Sequence, residues 1–241
     1  MKANTSNSPR VYLIRHGETE WSLSGRHTSR TDIPLTANGG DEARELGKLL
    51  RDIVFDHVLT SPLKRARQTC TLVGLDKASE NEPDLAEWDY GDYEGQRSLD
   101  ILSGRPDWNV YRDGCPNGEM PAQVSDRADR LLARLRALTG NIALFSHGQF
   151  GCVLAARWIG LAVAEARHFT LGTASLSIFA FDPHHPAVPV IALWNAVSQE
   201  RLNPVSSHPG GNNIAPLTPL TPLIPLIPLI PLKAWQALAA H

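Results

Sequence analysis

The chain predicts an α/β fold: a three-layer α/β/α sandwich built on a mostly parallel sheet. Short apolar, β-rich runs alternate with helical patterns along it. Two of those runs end in nearly the same triplet, Arg15-His16-Gly17 and Ser146-His147-Gly148. The stripe Val124, Ala128, Leu131, Leu135 and Leu138 repeats at the spacing of a buried helix face. Helices are expected at about residues 36–52, 62–75, 122–138 and 149–159. Strands are expected near Val11, Asp56, Asn141, Ala174 and Pro189.

The first strand, Val11-Tyr12-Leu13-Ile14, stops on Arg15, His16 and Gly17. That leaves a basic group and an imidazole at the carboxyl edge of the sheet, where open α/β folds bind ligands. Gly17 is expected there so that the backbone can approach a ligand closely. A second short strand, 56–60, runs into a helix with Ser61 as N-cap and Pro62 at the first position, which puts Arg65 in the first turn, facing the same edge. The loop 85–95 carries Glu87, Trp88, Asp89, Tyr90, Asp92, Tyr93 and Glu94 among glycines, a source of carboxylates and aromatic surface. The strand Asn141 to Phe145 then presents His147 as the first strand presents His16.

Phosphoryl transfer accounts for this mixture. A histidine that attacks a phosphomonoester splits one hard displacement into two easier ones. The equatorial oxygens need fixed positive charge, and Arg15 and Arg65 supply planar, bidentate donors that never deprotonate. His147 adds hydrogen bonds, and a carboxyl such as Glu87 can protonate the leaving alkoxide and then activate water. The scheme calls for no metal and no other cofactor.

These residues resemble the histidine phosphatase superfamily, the phosphoglycerate mutase-like family, over about residues 10 to 195. Strand-RHG, PLT, SPLxRAxQT, a glutamate in an ExxxGxxEG loop, and strand-SHG occur in the family's order. The wording EWSxSGRHT, AEWDYGDYEG and GCPxGE is most similar to bacterial acid phosphatases of this group and to the sedoheptulose-bisphosphatase type. The resemblance implies one antiparallel strand in the sheet and a small helical cap formed by the acid loop and part of the segment after it. It also implies that His16 is the phosphoacceptor, that Arg15, Arg65 and His147 hold the phosphoryl group, and that Glu87 is the proton donor.

Substrate contacts are expected from Ser22, Thr28, Ser29, Tyr90 and Gly148. Ser22 stands where the mutases usually have asparagine, and Thr28-Ser29 where they have threonine-glycine, so one amide donor is lost and one side chain gained. Gly118-Glu119-Met120 lacks the usual serine cap of the next helix. The mutases carry a longer insert between the acid loop and the second histidine, which closes the site against water. The shorter stretch here favours hydrolysis of small phosphorylated metabolites, such as sugar phosphates, over mutase chemistry. Phosphoglycerate mutase is the alternative, and a catalytically silent phospho-ligand binder is the reading from another class.

Other residues have plainer expectations. Trp21 and Trp88 pack loops, with Tyr90 the favoured contact; His27 and His57 lie on loops or strand starts; His184-His185 sits in a hairpin loop. Arg127, Arg130, Arg134 and Arg136 form the polar, solvated face of a helix. Of three cysteines, Cys70 and Cys152 pack in the core and Cys115, in a Pro/Gly loop, is the one to watch for reactivity.

At 241 residues with 42% hydrophobic content the chain can bury one sizeable core; the net charge of −2 is uninformative, and the lack of a basic run argues against nucleic acid as a partner. The expected division is a leader at 1–9 with no apolar signal region, a histidine phosphatase domain at 10–200, and a Pro-rich tail at 201–241. The Pro-Leu-Ile repeat from Pro222 to Leu232 has the period of a polyproline II rod and cannot be a membrane helix, because proline at every third position removes donors. A short helix over 233–238 is expected beyond it. The expected location is cytoplasmic and the expected partner a small phosphorylated substrate, with no membrane and a homodimer left open.

Overall fold

The computed structural model describes residues 8–197. The leader up to residue 7, the Pro-rich tail with its rod, and the helix expected over 233–238 lie outside the described residues.

Six strands form one sheet: β1 (Arg10–Arg15), β2 (His57–Thr60), β3 (Ser79–Asn81), β4 (Asn141–Ser146), β5 (Leu176–Phe181) and β6 (Pro189–Ala196), in the order β3-β2-β4-β1-β5-β6. The pairs β1/β4, β2/β4 and β2/β3 are parallel, while β5 runs antiparallel to both its neighbours, the one antiparallel strand expected. The loop between β5 and β6 holds His184-His185, with both amides donating to Asp182 Oδ1 at 2.8 Å.

β1 is buried on both faces, and period 2 sorts its residues. Val11 and Leu13 join one core with Leu144, Leu131 and Trp158, under α6 (Pro121–Ala137) and α7 (Gly148–Trp158). Tyr12 and Ile14 join the other with Phe145, Leu46 and Cys70, under α2 (Ala37–Leu50) and α3 (Lys64–Val73). Each such side chain contributes about 1.5–3 kcal/mol on full burial. Helices on both faces give the expected three layers. The short helix α1 (Glu20–Ser24) lies between β1 and α2, and α4 (Ser98–Gly104) and α5 (Val110–Asp113), with 3-10 turns at Pro83–Leu85 and Gly91–Tyr93, lie in the acid loop and the segments around it, between β3 and α6.

Several helix starts differ from expectation. α3 begins at Lys64 with Leu63 in the N-cap position, so neither Ser61 nor Pro62 opens it. Ser61 Oγ instead accepts from the Leu63 amide at 3.3 Å and meets His147. The serine absent before α6 is offset by Gln123, whose Oε1 accepts from the Met120 amide at 2.8 Å, half of a capping box. A Cβ on Gly17 would stand 2.3 Å from the Gly39 carbonyl oxygen, so packing against α2 requires glycine there.

Candidate active site

Arg10↔Asn141 through Arg15↔Ser146 pair in step, so β1 and β4 release their histidines side by side at the carboxyl edge, with ring centroids 5.2 Å apart. His16 Nδ1 lies 2.7 Å from the Gly17 carbonyl oxygen. A carbonyl has no proton to give, so Nδ1 carries the hydrogen and Nε2 keeps its lone pair. Nε2 has no hydrogen-bond partner among the described residues. Burial, reinforced by the Arg65 and Arg15 charges, holds the His16 imidazole well below its usual pKa against the opposing pull of the Gly17 hydrogen bond. His16 is therefore a neutral base at physiological pH.

His147 is fully buried and also held well below its usual pKa, again by burial first and then by Arg65, His16 and Arg15. Its Nε2 lies 2.8 Å from Ser61 Oγ. The guanidinium groups are aimed by backbone carbonyls: Arg65 donates to Thr28 at 3.0 Å and Thr31 at 3.3 Å, and Arg15 Nη1 donates to Leu171. Gly148, the first residue of α7, lies against Arg15, where an added Cβ would come within 3.3 Å of its Cζ. Three buried side-chain nitrogens have no partner among the described residues: Arg15 Nε, Arg65 Nε and His147 Nδ1. All belong to the cluster around His16, and an oxyanion is the ligand that accepts from such a set.

Glu87 is placed by the start of α7. Its Oε1 accepts from the amides of Trp88 at 2.9 Å and Phe150 at 2.8 Å, and its Oε2 from that of Gln149 at 3.1 Å. His147, at the N-cap position, offers no side-chain cap, so the carboxylate from the acid loop takes up amides that the helix cannot satisfy itself.

A cavity of about 160 Å³ is lined by Arg15, His16 and Glu87, and also by Thr19, Ser22, Arg26, His27, Thr28, Tyr90, Ser98 and Gln149. Ser22, Thr28 and Tyr90 thus face it, whereas Ser29 does not. Ser29 is buried, its amide and hydroxyl held by Glu94 at 2.7–3.0 Å. Ser22 closes a capping box with Thr19 and gives its proton to the Thr19 carbonyl at 2.9 Å. Trp88 is buried, with its indole N–H on the Glu119 carbonyl, and Trp21 packs on Gly95. A larger groove of about 760 Å³ over α2 and α3, lined by Arg44, Lys64 and Arg67 among others, holds neither of the paired histidines.

The cavity also contains residues that sequence reasoning passes over. His27, expected on a loop or strand start, stands with its ring 4.5 Å from that of Tyr90 and its Nε2 3.2 Å from Ser98 Oγ, and burial lowers its pKa to about 4 against Glu94. Thr69 Oγ1 accepts from the Gly17 amide at 3.1 Å and steadies the turn after His16. Cys115 is buried, and burial pushes its thiol up to about 12, as it does those of Cys70 and Cys152, which disfavours the thiolate.

The arginines of α6 form an exposed polar face, as expected, with the exception of Arg127. Arg127 is buried and grips Glu119 with a bidentate pair at 2.8 and 2.9 Å, while Arg130 pairs with Asp84 and Arg134 with Glu80 and Glu82. Arg136 donates to the Trp158 carbonyl at 3.1 Å.

Residues 11–196 match the histidine phosphatase superfamily (branch 1). The chain belongs to that superfamily. An acid phosphatase of Mycobacterium tuberculosis is 44% identical over 177 residues, covering 72% of this chain and 87% of that protein. A sedoheptulose 1,7-bisphosphatase of Saccharomyces cerevisiae is 36% identical over 192 residues, 66% of this chain and 71% of the yeast protein. A solved structure of a Mycobacterium tuberculosis open reading frame superposes with a TM-score of 0.73 at 39% identity, covering 78% of this chain and 97% of that one. The fold is thus shared with that solved structure. No helix among the described residues is long and apolar enough to cross a membrane.

Proposed function

We propose that this histidine phosphatase superfamily member hydrolyses phosphomonoesters of small metabolites through a phosphohistidine on His16, without a metal. The observation that carries the reading is the state of His16: Nδ1 is committed to the Gly17 carbonyl at 2.7 Å, and the ring is kept neutral by burial between two guanidinium groups. That is a nucleophile ready at Nε2 beside fixed positive charge.

In the first step Nε2 forms a bond to phosphorus as the ester P–O bond breaks, and Glu87 gives its proton to the departing alkoxide oxygen. Arg15, Arg65 and His147 take the charge that spreads over the equatorial oxygens. With Ser61 Oγ donating its own proton to His147 Nε2, Nδ1–H is left as the donor toward the phosphoryl group. In the second step water attacks phosphorus, the N–P bond breaks, and the water's proton returns to Glu87. The hydroxyl-rich cavity wall of Thr19, Ser22, Thr28 and Ser98 suits a polyhydroxylated leaving group, and its small volume suits a short one.

The test is phosphate release from a panel of sugar phosphates, phosphoglycerates and p-nitrophenyl phosphate, with chelator present and His16→Ala as control. Release that survives chelation and disappears in the variant is expected. Interconversion of phosphoglycerates outpacing release would make the protein a mutase. Phosphate binding without either activity would make it a binder.

A further inference from the structure

We infer that Arg127 is a positioning residue for proton transfer: it locks the acid loop around Glu87 against the first turn of α7. The inference rests on Glu87 being the proton donor. Three sets of contacts converge on this one guanidinium. Nη1 donates to the carbonyls of Asp84 at 2.8 Å and Ala86 at 2.7 Å, on the chain just before Glu87, and Nη2 reaches the Glu87 carbonyl itself at 3.4 Å. Nε and Nη2 also grip Glu119, whose Oε2 accepts from the Asp89 amide at 2.9 Å and whose carbonyl accepts from the Trp88 indole at 3.0 Å. The loop is thereby tied on both sides of Glu87. Finally, the guanidinium carbon stands 4.1 Å from the ring centroid of Phe150, the residue whose amide donates to Glu87 Oε1.

Arg127 thus touches both partners of the carboxyl group: the loop that carries it and the helix turn that holds it. Only a planar fork does all of this from one side chain, since an ammonium has no bidentate geometry for Glu119. Arg130 on Asp84 and Arg134 on Glu80 and Glu82 extend the same helix face along the chain that leads into the loop. A displacement of the carboxyl by a fraction of an ångström is enough to matter, because general acid catalysis depends on the proton lying within hydrogen-bond reach of the leaving oxygen.

The prediction is selective for leaving group. An alkyl phosphate needs its alkoxide protonated, whereas p-nitrophenolate departs without help. The experiment compares kcat/KM, which reports formation of the phosphoenzyme, for glycerol phosphate and p-nitrophenyl phosphate in the full chain. Glu87→Gln should lower the glycerol phosphate value at least about 100-fold more than the nitrophenyl value. Arg127→Met should lower it about tenfold or more in the same selective sense, and Arg127→Lys less, since lysine keeps the charge and one carbonyl contact. If Arg127→Met, which leaves the Glu119 carboxylate without its cation, fails to fold, Arg127→Lys and Glu119→Gln carry the test. Equal losses on both substrates in the Arg127 variants, beside a selective loss in Glu87→Gln, would overturn the inference and reduce Arg127 to a stabilising ion pair. No selective loss in Glu87→Gln would overturn the proton-donor reading itself.

Discussion

β1 and β4 run parallel, in register, and end alike in the sequence, yet they present opposite nitrogens. His16 bonds through Nδ1 to a backbone carbonyl within its own turn and keeps Nε2 for the cavity; His147 bonds through Nε2 to the hydroxyl of Ser61, on another segment, and keeps Nδ1. In the mechanism proposed above, the first nitrogen attacks with its lone pair and the second donates a proton. A strand-His-Gly motif therefore specifies a place at the sheet edge, and the neighbour of the ring decides the chemistry done there.

The largest test of that difference is to remove each ring in turn. His16→Ala should abolish phosphate release, by at least about 10⁴-fold, the scale expected when a nucleophile is lost. His147→Ala should cost about 10²–10³-fold, the scale of one charge-stabilising donor, and should still form a phosphoenzyme. Equal losses would mean that the two histidines do not divide the work. Ser61→Ala removes the hydroxyl that orients His147, together with its bond from the Leu63 amide, and a drop in kcat/KM of about tenfold is expected in steady-state assays, since about 1.4 kcal/mol separates a held ring from a free one.

Acid stability sharpens the same comparison. His16 and His147 are held well below 6.5 and His27 at about 4, so the folded protein refuses protons that the unfolded chain takes up. Stability is then complete above about pH 6.5 and falls as the pH drops from there toward 4, by up to about 1.4 kcal/mol per pH unit for each histidine. Denaturant midpoints between pH 7 and 5 check this, and His27→Phe should lower the slope by one proton. Smallest of all is the effect at Ala174, which adopts a left-handed φ of 46° while its amide donates to the His16 carbonyl at 3.0 Å. Ala174→Gly should relieve about 1 kcal/mol or less and raise the melting temperature by about 2 °C.

Much of the sheet and the paired histidines is legible in the sequence, because buried strands that stop on Arg-His-Gly and Ser-His-Gly leave few alternatives for where the side chains emerge. Arg65 is legible too, from a strand running into a helix. The rest depends on contacts between distant segments. β3 is the polar triplet Ser79–Asn81, with no alternation to reveal it, and is a strand only because it pairs with β2. Ser61 looks like a helix cap from its neighbours, but helix α3 starts later and its hydroxyl turns to a ring 86 positions away. Arg127 has the spacing of the solvated face that the other α6 arginines form; nothing local shows that residues 84–87 lie across it. One local signal is present: Glu119 stands just ahead of α6 and Arg127 lies within that helix on the same side, close enough for the two to pair.

The measurement that tests the account most directly is to trap the enzyme during turnover with labelled substrate, quench in alkali, and locate the phosphate by mass spectrometry and phosphorus NMR. The account predicts one phosphohistidine, on His16, with phosphorus bonded to Nε2. Phosphate on Nδ1 or on His147, or turnover with no covalent intermediate at all, would contradict it.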